Sequence, residues 1–149
     1  MTDVRRAVRV LLLDEHDRVL LLFGRDSSLP ADPGWWFTPG GGVEGAETSV
    51  EAAIREVFEE TGMRLPAVSG PVGHRDTTFT FEGTEIHQVE TYFSASVDAF
   101  EIERTGWTEL ERRSVLGARW WAVHELETTT DTVYPENIVE FIRTATSHP

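Results

Sequence analysis

Cysteine is absent from the 149 residues, so the chain has no disulfide framework, no thiolate metal site and no thiol nucleophile. Long hydrophobic runs are missing too. The apolar stretch after Arg5-Arg6 is interrupted by Arg9 and closed by Asp14-Glu15, too soon for a signal peptide or a membrane span. The expected location is cytoplasmic, with no membrane partner. Positive charge is scarce: 13 basic residues face 26 acidic ones, for a formal net charge of −13. General nucleic-acid binding depends on neutralising phosphates with basic side chains, so none is expected. A small phosphate-bearing substrate stays open, because metal ions and a few local arginines invert the field inside a site. None of the five histidines has close metal-ligand spacing. A length of 149 residues with 40% hydrophobic and 26% charged residues predicts one globular unit over residues 1–149.

The informative segment begins at the glycine run Gly40-Gly41-Gly42 and ends near Met63. Thr48-Ser49-Val50-Glu51 matches a capping box, which starts a helix at about Ser49. Gly62 supplies the left-handed residue that closes it. At about 100° per residue, Val50, Ala53, Ile54, Val57 and Thr61 share one sector, expected to face the core. Arg55, Glu56, Glu59 and Glu60 fall outside it. Glu56 with Glu59 and Glu60 are spaced i,i+3 and i,i+4, so three carboxylates occupy neighbouring positions. Three acids in the last two turns oppose the helix dipole and repel one another. Exposed glutamates on a helix are ordinarily a solvated face, but a sequence that breaks a local rule this way is often serving a site. Hard divalent cations take oxygen ligands, and Mg²⁺ needs only one or two carboxylates beside waters and substrate phosphates. The three glutamates are therefore expected to converge on a shared ion.

The spacing resembles the Nudix box: Gly41, five residues, Glu47, seven residues, Arg55-Glu56-Val57, one residue, Glu59-Glu60, one residue, Gly62-Met63, with no position departing from it. Trp36-Phe37-Thr38-Pro39-Gly40 looks like the strand and turn leading into that box. The resemblance implies a Mg²⁺- or Mn²⁺-dependent hydrolysis of a nucleoside diphosphate linked to another moiety. Under it, Glu56 and Glu60 are the principal metal ligands, Glu59 shares a further ion or positions water, and the Gly40 carbonyl is another ligand. Arg55 orients carboxylates, Gly41, Glu47 and Gly62 shape the box, and Glu59 or Glu60 is the candidate general base. A homodimer is a frequent assembly in the family. The missing cysteine weakens the isopentenyl-diphosphate-isomerase-like alternative.

Along the chain, Val8 to Leu12 and Val19 to Phe23 read as a hairpin of buried strands around Asp14–Asp17, and Gly24 to Gly34 as a loop able to reach substrate. His74 to Phe81 and Ile86 to Val97 read as a second hairpin around Glu82-Gly83-Thr84. Asp98 to Gly117 is acidic and aperiodic. Ala118 to Val123 follows as a strand, His124 begins a short helical turn, and Pro135 precedes a C-terminal helix with Ile138, Val139, Phe141 and Ile142. The fold class is α/β with a mixed β-sheet. The Nudix resemblance sharpens this to an α/β/α sandwich with the long and C-terminal helices on opposite faces.

A further acid is sought at Glu109 or Glu111 before a late strand, or at Glu90, although plain surface acids fit all three. Base recognition needs aromatic planes. Trp35, Trp36, Phe37, Phe79 and Phe81 lie near the expected cleft, of which alternation makes half core; Trp36 and Phe79 are taken as substrate contacts. Trp120 and Trp121 read as packing, one to each side. Arg25 and Arg75 are candidates for phosphate or ribose. The favoured substrate is a nucleoside triphosphate, including damaged ones. Nucleotide sugars and ADP-ribose follow, although the proline of some ADP-ribose-cleaving relatives and the tyrosine of some dinucleoside-polyphosphate-cleaving ones are replaced by Thr78-Phe79-Thr80-Phe81. The rivals from other classes are a nucleotide-sensing domain without hydrolysis and a domain in which metal serves folding alone.

Overall fold

A computed structural model describes residues 4–147, so the single unit expected over 1–149 runs past the described residues at both ends. Eight strands form one sheet in the order β5-β6-β1-β2-β3-β8, with β4 paired to β1 and β7 paired to β2. The strands are β1 (Val4–Leu13), β2 (Val19–Gly24), β3 (Trp35–Phe37), β4 (Gly40–Gly42), β5 (Ser69–Phe81), β6 (Thr84–Ser96), β7 (Val115–Trp121) and β8 (Val133–Tyr134). The helices are α1 (Ser49–Thr61), α2 (Glu109–Ser114), α3 (Val123–Thr128) and α4 (Ile138–Thr146). The sheet is mixed: β1 runs parallel to β6 and antiparallel to β2 and β4. None of the helices among the described residues is long and apolar enough to cross a membrane.

Strand periodicity decides which helix lies on which face. On β1, Val8, Val10 and Leu12 pack with Ala52, Ala53 and Val57 of α1. The intervening Leu11 and Leu13 pack with Ile138, Phe141 and Ile142 of α4. The two helices therefore cover opposite faces, as expected. Trp120 joins the first cluster and Trp121 the second.

The first hairpin differs from its expected form. β1 and β2 share register only at Leu13↔Val19. Beyond the turn they splay, because β4 takes the edge of β1 from Ala7 to Arg9 while β3 and β7 take the edges of β2. The turn is held by Asp14, whose buried carboxylate accepts from the His16 and Arg18 amides and from Arg18 Nε at 2.7 Å. The second hairpin forms as expected, with Phe81 opposite Thr84 and both Glu82 and Gly83 at positive φ, the signature of a two-residue turn. The stretch expected to be aperiodic contains α2, and β7 begins earlier, at Val115. Thr108 caps α2 through the same reciprocal pattern that starts α1.

Both ends of α1 are as expected: Thr48 and Glu51 form the capping box, and Gly62 closes the helix at φ 82°. Its buried face is so in part: Ala53, Val57 and Thr61 are buried and Ile54 packs against the core. Val50 is 42% exposed, whereas Ala52 is fully buried and Glu60 is 4% exposed. The sheet covers the Ala53 and Val57 side, while β4 and the segment before α2 cover the side of Glu60. The core sector is therefore rotated toward Ala52 and Glu60.

Candidate active site

The loop and the helix of the site are fitted to each other at glycines. A Cβ on Gly41 would stand 2.5 Å from the Glu56 carboxylate, and one on Gly40, at φ 155°, 2.0 Å from the Val8 carbonyl. Only a residue without a side chain lets Glu56 lie against the loop while β4 pairs with β1.

Arg55 organises the acids. Its Nε and Nη2 donate to the two oxygens of Glu47, both at 2.7 Å, and Nη2 also donates to the Gly42 carbonyl at 3.0 Å. Nη1 donates to Glu56 at 3.0 Å and to Glu59 at 3.3 Å. The planar fork makes this bidentate grip possible. Hydrogen bonding from Arg55 brings the Glu47 carboxyl down to about 2. The same partnership with Glu47 raises the guanidinium pKa.

Glu60 lies deeper. Its carboxylate accepts from the Gly40 amide at 3.2 Å, and its backbone carbonyl accepts from the Trp107 indole at 2.7 Å. Burial pushes its pKa well above the usual range; nearby Arg9 opposes this, while Glu111 and Glu56 add to it. Glu56 is also raised, first by burial, against the pull of Arg55. Carboxylates that raise one another's pKa form a site of excess negative charge, which is the electrostatic demand a divalent cation meets. Together with the glycine cradle around Glu56, this donor set fits a hard ion. The expected convergence on one point is nevertheless not found: among the described residues no three acidic or histidine side chains stand grouped to hold an ion. Arg55 draws Glu56 and Glu59 toward Glu47, and the Gly40 amide holds Glu60 apart from them.

A cleft of about 690 Å³ opens from Gly40 and Glu60 along the sheet. Arg5, Arg9 and Glu111 flank its acidic end, and Trp35, Phe37, Phe79, Phe81 and Ile86 line the other. Trp35 and Phe81 meet edge to face, 6.3 Å between centroids. Arg25 and Phe79 thus stand in the cleft. Trp36 does not: it turns to the opposite face, 4.8 Å from Phe23 and 5.1 Å from Trp121, its indole donating to Asp131. Adjacent strand residues point opposite ways, so placing Trp35 in the cleft sends Trp36 to the core.

The three further acids separate cleanly. Glu111 reaches the cleft, while Glu109, two residues earlier, does not line it. Glu90 is in the cleft wall, but its oxygens accept from Arg9 at 3.0 Å, Arg75 at 3.1 Å, Gln88 at 2.8 Å and Tyr92 at 3.0 Å. Burial alone would raise its pKa. Arg9 and the hydrogen bonds outweigh that and hold it low.

Arg5 and Arg9 are among the charged cleft residues that sequence reasoning missed, as is Glu136. Arg9 also donates to the Thr38 carbonyl at 3.2 Å, and Arg5 donates to Gln88 at 3.1 Å. The signal of these two arginines was present, since of the three arginines in β1 the two that stand four apart share one face.

The hairpin tip is tied to the loop after β2 and to α2. Ser27 Oγ donates to Glu82 Oε1 at 2.7 Å, the Glu82 amide donates to Asp26 at 2.9 Å, and Arg113 lies 3.5 Å from the same Glu82 oxygen.

The model of the NUDIX domain matches residues 3–142. The chain is 39% identical over 56 residues to m7GpppN-mRNA hydrolase NUDT17 of Bos taurus, covering 38% of this chain and 18% of that protein. It is 42% identical over 64 residues to the RNA pyrophosphohydrolase of Dinoroseobacter shibae, covering 43% of this chain and 38% of that one. The matched segments thus span well under half of these relatives. A crystal structure of a MutT protein from Methanosarcina mazei Go1 superposes with a TM-score of 0.73 at 20% identity, over 98% of this chain and 96% of that one, a likeness of fold.

Proposed function

The chain belongs to the Nudix family, and from that premise we propose that it hydrolyses a phosphoanhydride bond in a small nucleotide, with Mg²⁺ or Mn²⁺ as cofactor. The observation that carries this reading is the buried Glu60 carboxylate beside Glu56 and Glu111, at one end of a cleft whose other end is aromatic. Glu56, Glu60 and the Gly40 carbonyl would hold the ion, with Glu59 sharing a further one. Bound there, the ion neutralises the phosphates and lowers the pKa of water.

Arg55 keeps Glu56 and Glu59 in fixed orientation. Arg5 and Arg9 face the phosphate chain. Water oxygen forms a new bond to phosphorus as the bridging phosphorus–oxygen bond breaks, and the water proton passes to Glu60 or Glu59. The aromatic end offers planes for a base, and the net charge of −13 favours a single nucleotide over a longer polyanion. A nucleoside triphosphate, ordinary or oxidised, is the favoured substrate.

The test is a phosphate- and nucleotide-release screen over dNTPs, oxidised dNTPs, ADP-ribose, nucleotide sugars and dinucleoside polyphosphates, in Mg²⁺ and Mn²⁺. Methylated-cap dinucleotides and 5′-triphosphate RNA join it because two relatives carry those activities in their names. Glu60→Gln should fold normally and lose roughly 100-fold or more in turnover, since metal-assisted charge stabilisation contributes several kcal/mol. Unchanged turnover in that variant removes Glu60 from the mechanism. Nucleotide binding without product from any substrate replaces the enzyme with a sensor.

A further inference from the structure

The C-terminal end of α1 is capped by a segment some forty residues further along the chain. The last carbonyls of a helix have no intrahelical partner. Here the Phe58 carbonyl accepts from the Gly62 amide, the Thr61 carbonyl from the Glu103 amide at 2.9 Å, and the Glu60 carbonyl from the Trp107 indole. The last turn of α1 holds no basic residue, so these donors are what offsets its negative end. The approach is close: a Cβ on Gly106 would meet the Glu59 carbonyl at 2.7 Å.

Trp107 is followed at once by Thr108, the cap of α2, which carries Glu111 to the cleft. Arg112 donates to the Arg104 carbonyl at 3.1 Å, and the Arg104 guanidinium lies 5.0 Å from the centre of the Trp107 ring. That ring is 7% exposed and packs with Leu22 of β2 and with Val115, the first residue after α2. One side chain is thereby joined to the sheet, to the end of α1 and to both sides of α2.

We propose that Trp107 is a positioning residue, which sets the spacing between Glu111 and the carboxylates of α1 by bonding the Glu60 carbonyl. Loss of its N–H lets α2 shift against α1 and separates acids that must act on one ion. The turnover part of this idea rests on the hydrolase reading above, while its ion-binding part does not.

The test pairs Trp107→Phe, which keeps a ring and loses the donor, with Glu111→Gln and the double variant. Mn²⁺ affinity is measured by electron paramagnetic resonance without nucleotide, alongside kcat, KM and thermal unfolding. Trp107→Phe should weaken Mn²⁺ binding roughly 10-fold and lower kcat by a similar factor, as loss of groups that orient metal ligands does. KM should hold within about twofold, and in the Glu111→Gln background the same change should add less than about twofold to either loss. Independent, multiplying losses in the double variant overturn the proposal. So does a Trp107→Phe protein that is less stable but binds Mn²⁺ as the wild type does. Should that variant not fold, Gly106→Ala carries the test: its added methyl presses on the Glu59 carbonyl, and it must weaken Mn²⁺ binding only while Glu111 is present. A wild type that binds Mn²⁺ yet releases no product sinks the hydrolase reading and leaves the Mn²⁺ comparison to decide the role of Trp107.

Discussion

Two knots of arginine and glutamate, one at the β4 loop and one in the cleft wall, are built with opposite stoichiometry. Around Arg55, one guanidinium is divided among Glu47, Glu56 and Glu59. Around Glu90, one carboxylate is divided between Arg9 and Arg75. The first leaves acid in excess; in the second, Arg75 also meets the exposed Glu136 at 3.4 Å, so base is in excess over the buried acid alone, although the chain as a whole is strongly acidic. An ion pair therefore does different work according to which partner is short. A carboxylate surplus prepares a place for a cation, and an arginine surplus one for a phosphate. Glu60 lies between them, held by the Gly40 amide and within the field of Arg9.

The comparison is broken most forcefully at Glu90. Its side chain is 4% exposed, and Glu90→Ala leaves Arg9 and Arg75 without their shared counter-charge, so denaturant unfolding should show a loss of about 3 kcal/mol or more. A loss below about 1 kcal/mol would mean that the two arginines reach water and that their excess is not built into the wall.

Next comes Arg55→Ala, which should reduce kcat by roughly 10- to 100-fold while costing less stability than Glu90→Ala. Arg55→Lys should recover little, because a single ammonium cannot reproduce the bidentate grip on Glu47. Full activity in Arg55→Lys would reduce Arg55 to a generic counter-charge.

The smallest effect is the pH response of Glu47. Its folded pKa, about 2, lies below the ordinary 4.5, so its stabilisation is fully present above the unfolded value and disappears as pH falls through the folded one. Thermal unfolding of the wild type and Glu47→Gln should differ at pH 7 and converge as pH falls from about 4.5 toward about 2, with the difference reduced in about 1 M salt. A gap that persists at the acid end would assign the contribution to shape rather than charge.

What the sequence disclosed depends on how local the cause was. Both ends of α1 were legible because Thr48, Glu51 and Gly62 act within one turn of their own helix. Thr108 and Glu111 carry the same signature, yet the acidic residues around them masked α2. The splaying of β1 from β2 was not legible, since β4 and β6, which claim β1, lie far along the chain. Burial of Glu60 was hidden for the same reason: its cover includes Trp107, and helical periodicity records only the helix. Trp35 and Trp36 differ only in parity, which a three-residue strand does not announce. The box residues were brought together on the expected loop and helix, but Arg55 decides how the acids share that space, and one-dimensional spacing does not contain its choice of partners.

The fastening at Glu82 has a mechanical consequence. The hairpin of β5 and β6 has 13 residues per strand, roughly 40 Å, and β6 is paired with β1 from His87 to Ser96, so only the turn end overhangs the sheet. Ser27, the Glu82 amide with Asp26, and Arg113 pin that overhang to two other segments, so the end that leaves the sheet is fastened as well. The cleft wall from Thr77 to Phe81 is thereby held at the sheet and at the turn, so its shape is set by the fold before anything enters.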